Sequence, residues 1–274
     1  MILLEKKIIV VDCSLVTTIK NRLNHFLQTF PSAISQYGID YELIYVNFHS
    51  NDNFEEKLIE ESAFREAMFS PYLKKIKQIK LLEDIKFSPR KSKNMSIPFI
   101  DNNSNILAFS DADVFISSNY LYYWSQKVLE NKTFVATRVQ ETRASAPCRL
   151  NPEINYGNFL VSKNDFIGIG GLDESVGHYG GDDDDVFHRL KLKGLREINP
   201  YDAIEARNYS ILHGDKERLE NLEISVRVDN QHDTFQNIYQ NKDFLSPKNE
   251  FINKNCLNNM VLESIIYSRG DTIV

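Results

Sequence analysis

Residues 7–53 read KIIVVDCSLVTTIKNRLNHFLQTFPSAISQYGIDYELIYVNFHSNDN. The β-branched run at 7–11 is of the kind buried in a parallel sheet, and the polar segment 17–22 predicts a strand-to-helix corner. Leu23, Phe26, Leu27 and Phe30 then recur at helical spacing. Residues 41–46 (YELIYV) predict a second buried strand, and 47–53 a polar loop at its carboxyl end. Strand, helix and strand in this order imply right-handed crossovers and a mainly parallel sheet. In such sheets ligands bind where the carboxyl ends of the strands open into a crevice, so loops following strands are where chemistry is sought.

Farther along, the patterning predicts a helix over 54–77, a strand over 78–82, a helix over 91–100 and a strand over 105–110 (NILAFS). A helix over 119–130, a strand over 133–139, a polar connection over 140–153 containing Pro147 and Pro152, a strand over 156–161 and a helix over 182–193 follow. The last sixty or so residues are rich in Asn, Lys and Glu and read as helical or irregular. No internal repeat, low-complexity tract or clear linker divides the chain.

The chain has 274 residues, 42% of them hydrophobic, enough for a sizeable core and too apolar for disorder as the dominant state. Its 32 basic and 38 acidic side chains give a net charge of −6, and no Lys/Arg stripe offers a surface for nucleic acid. Cys13, Cys148 and Cys256 are odd in number and far apart, which reads as buried reduced thiols rather than a disulfide framework. The amino-terminal apolar run is broken by Glu5, Lys6 and Lys7, unlike a signal peptide, and no window reaches the ~18 apolar residues of a membrane span. A soluble, cytoplasmic protein is expected, and attachment at the inner face of a membrane is compatible with the same sequence.

Two acidic constellations stand out. Asp111 and Asp113 directly follow the strand NILAFS, and in extended chain residues two apart face the same side. Two hard oxygen donors on one side suit Mg²⁺ or Mn²⁺; a solvated Asp-rich turn is the plainer alternative. The second is Gly180-Gly181 followed by Asp182, Asp183, Asp184 and Asp185, with Val186, Phe187, Arg189 and Leu190 behind. Acids in a first helical turn complement the helix dipole, but four consecutive Asp exceed that need. Their mutual repulsion calls for a metal, a cationic substrate group or a shuttled proton to oppose it. His213, after another strand-like segment, could complete a mixed Asp/His metal site. His178, His188 and His232 have no comparable context, and Trp124 reads as a core residue.

The corner TTIKNRLNHFLQTFP, the segment FSPRKSKNMSIP before NILAFSDADVF, and the stretch YGNFLVSKNDFIGIGGLDESVGHYGGDDDDVFHRL together resemble the nucleotide-diphospho-sugar glycosyltransferases of the GT-A fold. More narrowly, they resemble inverting family 2 enzymes whose carboxyl-terminal half is similar to β-1,4-galactosyltransferases. The resemblance spans about residues 7–215. It implies an α/β fold, Rossmann-like, with a mainly parallel sheet flanked by helices. One glycosyltransferase domain would occupy 1–215, with a nucleotide-binding half at 1–113 and an acceptor and catalytic half at 114–215. A helical or irregular extension would follow at 216–274.

Residue by residue, the resemblance implies that Asp113 and His213 bind a Mn²⁺ or Mg²⁺ cofactor and that Asp111 faces the ribose or a metal-bound water. Asp183 would be the catalytic base, with Tyr179, Gly181, Asp182 and Asp184 near the acceptor. Thr17, Thr18, Arg22, Arg90, Lys93 and Asn94 would hold the nucleotide sugar. Many relatives carry Asp where this chain has Asn47, leaving Asp52 as the substitute; Asp182 stands where Glu is commoner.

The expected activity is inverting, metal-dependent transfer from a UDP-sugar to a saccharide or lipid-linked saccharide acceptor, in the synthesis of a bacterial surface polysaccharide or glycolipid. A non-catalytic subunit that keeps the fold is the alternative, weakened by the intact Asp113, Asp183 and His213. A calcium module fails on spacing, because adjacent Asp lack the alternating ligands of a calcium loop.

Overall fold

The computed structural model describes residues 12–67, 69–137, 140–143, 146–149, 157–175, 182–198, 203, 206–211, 249–257 and 260–268. The strands are β1 (Asp12–Ile19), β2 (Tyr41–Asn47), β3 (Leu73–Leu81), β4 (Ser104–Asp111), β5 (Val114–Ile116), β6 (Thr133–Thr137), β7 (Gln140–Arg143), β8 (Ala146–Arg149), β9 (Asn158–Ser162), β10 (Arg196–Ile198), β11 (Asn208–Ile211) and β12 (Val261–Ser268). The helices are α1 (Leu23–Ile34), α2 (Phe54–Glu60), α3 (Ser62–Ala67), α4 (Pro89–Ser96), α5 (Tyr120–Asn131), α6 (Lys163–Gly168) and α7 (Asp182–Leu192), with a single helical turn at Lys254–Leu257.

Eight strands form one sheet in the order β10-β6-β9-β4-β1-β2-β3-β12. The pairs β1–β2, β1–β4, β2–β3 and β6–β10 are parallel; β9 and β12 run against their neighbours. Successive residues of the central strands point to opposite faces, so both faces are apolar. Leu15, Leu43 and Ile106 meet Phe26 and Phe30 of α1 and Leu121 and Trp124 of α5. Val16, Ile44 and Leu107 meet Met95 of α4, Phe166 of α6 and Val186 and Leu190 of α7. The result is a three-layer α/β/α arrangement, beside which β5, β11, β7 and β8 form a smaller sheet.

From β1 the chain builds outward through β2 and β3, then returns to place β4 on β1's other side. The switch point therefore lies between β1 and β4, where Thr18 pairs in register with Asp111.

Several boundaries differ from the sequence reading. The segment 7–11 lies outside the described residues, and β1 runs to Ile19, so Thr17 and Thr18 are strand rather than corner. The helix over 54–77 ends at Ala67, and β3 begins at Leu73. Leu73, Ile76 and Ile79 imitate helical spacing because β3 is irregular near its start and buries Lys77 and Gln78 as well. The polar connection 140–153 contains β7 and β8, and Pro147 is accommodated because β8 is an edge strand. Near the carboxyl terminus, β12 joins the main sheet antiparallel to β3. Trp124 is core, 3% exposed, its indole N–H donating to the Ala206 carbonyl at 3.0 Å. Cys13 is buried as expected, whereas Cys256 is exposed; the Cys148 side chain lies outside the described residues.

Candidate active site

Asp111 ends β4, and Asp113 follows after the buried Ala112, whose carbonyl accepts from the Thr29 hydroxyl at 2.8 Å. Both carboxylates are half-buried. Asn158 at the start of β9 fixes the chain here, its side-chain oxygen accepting from the Asp111 N–H at 3.0 Å. The Asp111 carboxylate lies over the Cα of Gly157: a Cβ there would fall 2.0 Å from Oδ2. Only glycine leaves room for that carboxylate.

Helix α4 is capped by Ser88, which accepts from the Lys91 N–H, and Pro89 opens it. It carries Arg90 (0% exposed), Lys93 (2%) and Asn94 (0%) into the interior. Lys93 Nζ lies 3.4 Å from Asp182 Oδ2, 3.6 Å from Asp183 Oδ1 and 3.5 Å from the Gly157 carbonyl. A single buried cation thus draws the start of β9 and the amino end of α7 together.

The four Asp of α7 separate into distinct environments. Burial works against ionisation of Asp182, but Lys93 and then Arg90 prevail and hold it below the ordinary carboxylate range. Burial and the adjacent Asp182 charge push Asp183 up to about 8, with Asp111 and Asp184 adding to the rise and Lys93 opposing it. The Asp183 side chain is 21% exposed, yet its Oδ1 is buried without a hydrogen-bond partner. Burial followed by the Asp182 charge also raises Asp184. Asp185 receives the Arg189 Nε at 3.0 Å and Nη2 at 2.5 Å, a bidentate buried pair. Lys93 is kept protonated: burial opposes its charge, but Asp183, Asp182 and Asp111 outweigh it. Part of the acidic run is therefore opposed by this chain's own Lys93 and Arg189, a source the sequence reading does not anticipate.

Of the residues expected to hold the nucleotide sugar, Thr17 is buried within β1, while Thr18 and Arg22 are half-buried at the carboxyl edge. Asp52 Oδ2 accepts from the Leu23 N–H at 3.0 Å and so caps α1 from another loop. Asn47 is 0% exposed, accepting from the Ser50 N–H and donating to Glu55 at 2.9 Å in both cases. Asp52 also lines a polar hollow of about 400 Å³ with Asn21, Asn24, Asn51 and Lys57. The Asn94 side chain is committed to the protein, donating to the Leu172 carbonyl and Glu174 and accepting from the Leu172 N–H. Tyr179, Gly181 and His213 lie outside the described residues. Sequence reasoning did not single out Gly157, whose signal was a glycine directly before a strand that pairs with β4.

Among the described residues, no three His, Cys, Asp or Glu side chains converge as a metal cluster. Asp111 and Asp113 nevertheless offer two hard oxygen donors at one strand end, which suits Mg²⁺ or Mn²⁺. Also among the described residues, no helix is long and apolar enough to cross a membrane.

A mainly parallel sheet with its acids at the β1/β4 switch point and a second acidic group on α7 is the GT-A glycosyltransferase fold. S. aureus TarS in complex with UDP-GlcNAc superposes with a TM-score of 0.61 at 14% identity, over 83% of this chain and 65% of that one. The catalytic domain of Drosophila β1,4-galactosyltransferase 7 in complex with xylobiose gives 0.54 at 14%, over 83% and 80%. A mutant of that Drosophila enzyme in complex with manganese, UDP-Gal and xylobiose gives 0.53 at 16%, over 82% and 79%.

Residues 144–214 match the family described as the N-terminal domain of galactosyltransferase. The chain is thus a GT-A-fold protein with a galactosyltransferase-like segment. No curated protein matches it.

Proposed function

We propose that the chain is an inverting, metal-dependent glycosyltransferase that moves a sugar from a UDP-sugar to a hydroxyl of a saccharide or lipid-linked saccharide acceptor. The observation that carries this reading is the buried Lys93 joining Asp182 and the high-pKa Asp183 to the start of β9, where Gly157 lies against the Asp111 carboxylate. A carboxylate with its proton affinity raised toward neutral pH is suited to general-base work. Asp183 takes the acceptor hydroxyl's proton as that oxygen bonds to the anomeric carbon, and the carbon–oxygen bond to the diphosphate breaks with its electron pair leaving on UDP. A single displacement inverts configuration.

Asp113 and His213, with Asp111 beside them, would hold Mn²⁺ or Mg²⁺, which when bound neutralises charge on the departing diphosphate. Thr17, Thr18, Arg22, Asp52, Arg90 and Lys93 would serve the nucleotide sugar, and Tyr179, Gly181, Asp182 and Asp184 the acceptor. Donors and acceptors in the related structures support this reading: TarS was captured with UDP-GlcNAc and the Drosophila enzyme with UDP-Gal and xylobiose. The catalytic unit is residues 1–215, with the nucleotide half at 1–113, the acceptor half at 114–215 and an extension at 216–274 that returns β12 to the sheet. We place it in bacterial surface polysaccharide or glycolipid synthesis at the cytoplasmic side of the membrane.

The test is a panel of nucleotide sugars with Mn²⁺, monitored by released nucleoside diphosphate. UDP released from at least one UDP-sugar is the expected result. Failure with every UDP-sugar, alongside turnover of another nucleotide sugar, would refute the donor assignment.

A further inference from the structure

The segment 169–175 that follows α6 is bolted on three sides. Arg189 Nη1 donates to the carbonyls of Ile169 and Gly171 at 2.7 and 2.6 Å, while its other nitrogens grip Asp185. Asn94, next in sequence to Lys93, binds the same loop in both directions: its Nδ2 donates to the Leu172 carbonyl at 2.8 Å and its Oδ1 accepts from the Leu172 N–H at 3.0 Å. Gly171 adopts a φ of +77°, and a Cβ there would approach Asn94 Oδ1 to 2.6 Å, so the loop backbone presses directly on that amide.

The third bolt comes from beyond residue 215. Asn249 Nδ2 donates to the Gly170 and Leu172 carbonyls, both at 2.6 Å, and its Oδ1 accepts from the Glu174 N–H at 3.0 Å. Glu174 Oε2 accepts from the N–H groups of Glu250 and Phe251 at 2.9 and 3.2 Å, and Oε1 accepts from Asn94 Nδ2 at 2.6 Å. One carboxylate therefore links the helix of Lys93, the loop leading to Asp182 and a segment of the carboxyl-terminal region.

We infer that Glu174 is a positioning residue: by latching residues 249–251 onto the loop at 169–175, it fixes the amino end of α7, and hence Asp183, against Lys93. Helix α4 is packed on β1 and β2 independently of this latch, so releasing it frees the loop and the first turn of α7 while leaving the nucleotide side in place. Half-burial raises the Glu174 pKa, and the donors around it oppose the rise, so its place in the latch is already taxed by desolvation.

The test uses Glu174→Ala, with Glu174→Gln as the conservative variant that retains one acceptor oxygen, and Asn249→Ser as an independent break of the same latch. Amide hydrogen exchange should accelerate at 249–253, at 169–175 and in the first turn of α7. Acceleration confined to 249–253 overturns the inference. That measurement does not depend on the glycosyltransferase reading. Resting on that reading, a kinetic measurement adds a split: a misplaced base lowers kcat by about tenfold or more. The Kd for UDP with Mn²⁺ stays within about twofold, and Glu174→Gln recovers part of the loss. A kcat that falls only in proportion to the folded fraction contradicts the inference, whereas a wild-type protein without turnover on any donor removes the proposed activity and leaves the exchange result to decide.

Discussion

Two buried ion pairs sit at opposite edges of the same sheet, and they are built differently. Toward the amino edge, Lys77 Nζ lies 2.9 Å from Glu42 Oε2, with both side chains under a tenth exposed. Glu42 Oε1 accepts from the Ser14 hydroxyl at 2.7 Å and the Asp101 N–H at 2.8 Å, and Lys77 donates to the Phe99 carbonyl at 2.6 Å. At the carboxyl edge, Lys93 meets Asp182 and Asp183 only at 3.4 and 3.6 Å. Short, well-paired contacts hold strands together. Loose contacts around an excess of negative charge leave a carboxyl raised in pKa beside a buried cation, an arrangement suited to a site rather than to a brace.

The largest expected effect breaks the brace. Lys77→Met leaves Glu42 buried without its cation, and denaturant unfolding should register a loss of about 3–5 kcal/mol. Turnover per folded molecule should be retained. At the other edge, Lys93→Met also removes a buried cation, from beside Asp182, so it should cost stability as well; what sets it apart is turnover per folded molecule, which should fall by about a hundredfold because the groups it aligns act in the transition state. Steady-state kinetics beside a melting curve separates the two outcomes.

A smaller effect is expected at Gly157. A Cβ there collides with Asp111 Oδ2, so Gly157→Ala should weaken Mn²⁺-dependent UDP binding by about tenfold, since moved first contacts and their supports carry effects of that size. Calorimetry with UDP and Mn²⁺ reads it directly.

The smallest effect is a pH dependence of stability. Asp183 has a folded pKa of about 8 against an ordinary 3.8, so the native state binds the extra proton between those values. Its contribution is fully present at low pH and is lost as pH rises toward 8. In metal-free protein, Asp183→Asn should therefore melt above the wild type near pH 8 and converge with it near pH 4. A gap that widens on acidification instead would reverse the assignment.

Much of this architecture is legible in the sequence, and the failures have identifiable causes. Strands β2 and β4 announce themselves through uninterrupted apolar runs, and α1, α5 and α7 through helical spacing. Strand β3 hides because Lys77 is buried against Glu42, a partner the local pattern does not reveal. Strand β12 hides because its pairing partner lies far away in the chain. Within the site, the excess of acid in 182–185 is visible, but the division of labour is not. Asp185 belongs to Arg189 and the loop, whereas Asp182 and Asp183 belong to Lys93. Gly157 is hidden within its motif, since its necessity lies in an approach to Asp111 across two strands.

The most direct measurement compares acceptor-dependent UDP release by the wild type and Asp183→Asn, with UDP affinity measured alongside. Loss of a general base should lower kcat by about 10²–10⁴-fold, with the Kd for UDP and Mn²⁺ kept within about twofold. Asp183→Asn turning over at close to the wild-type rate would contradict the assignment of Asp183 as the base.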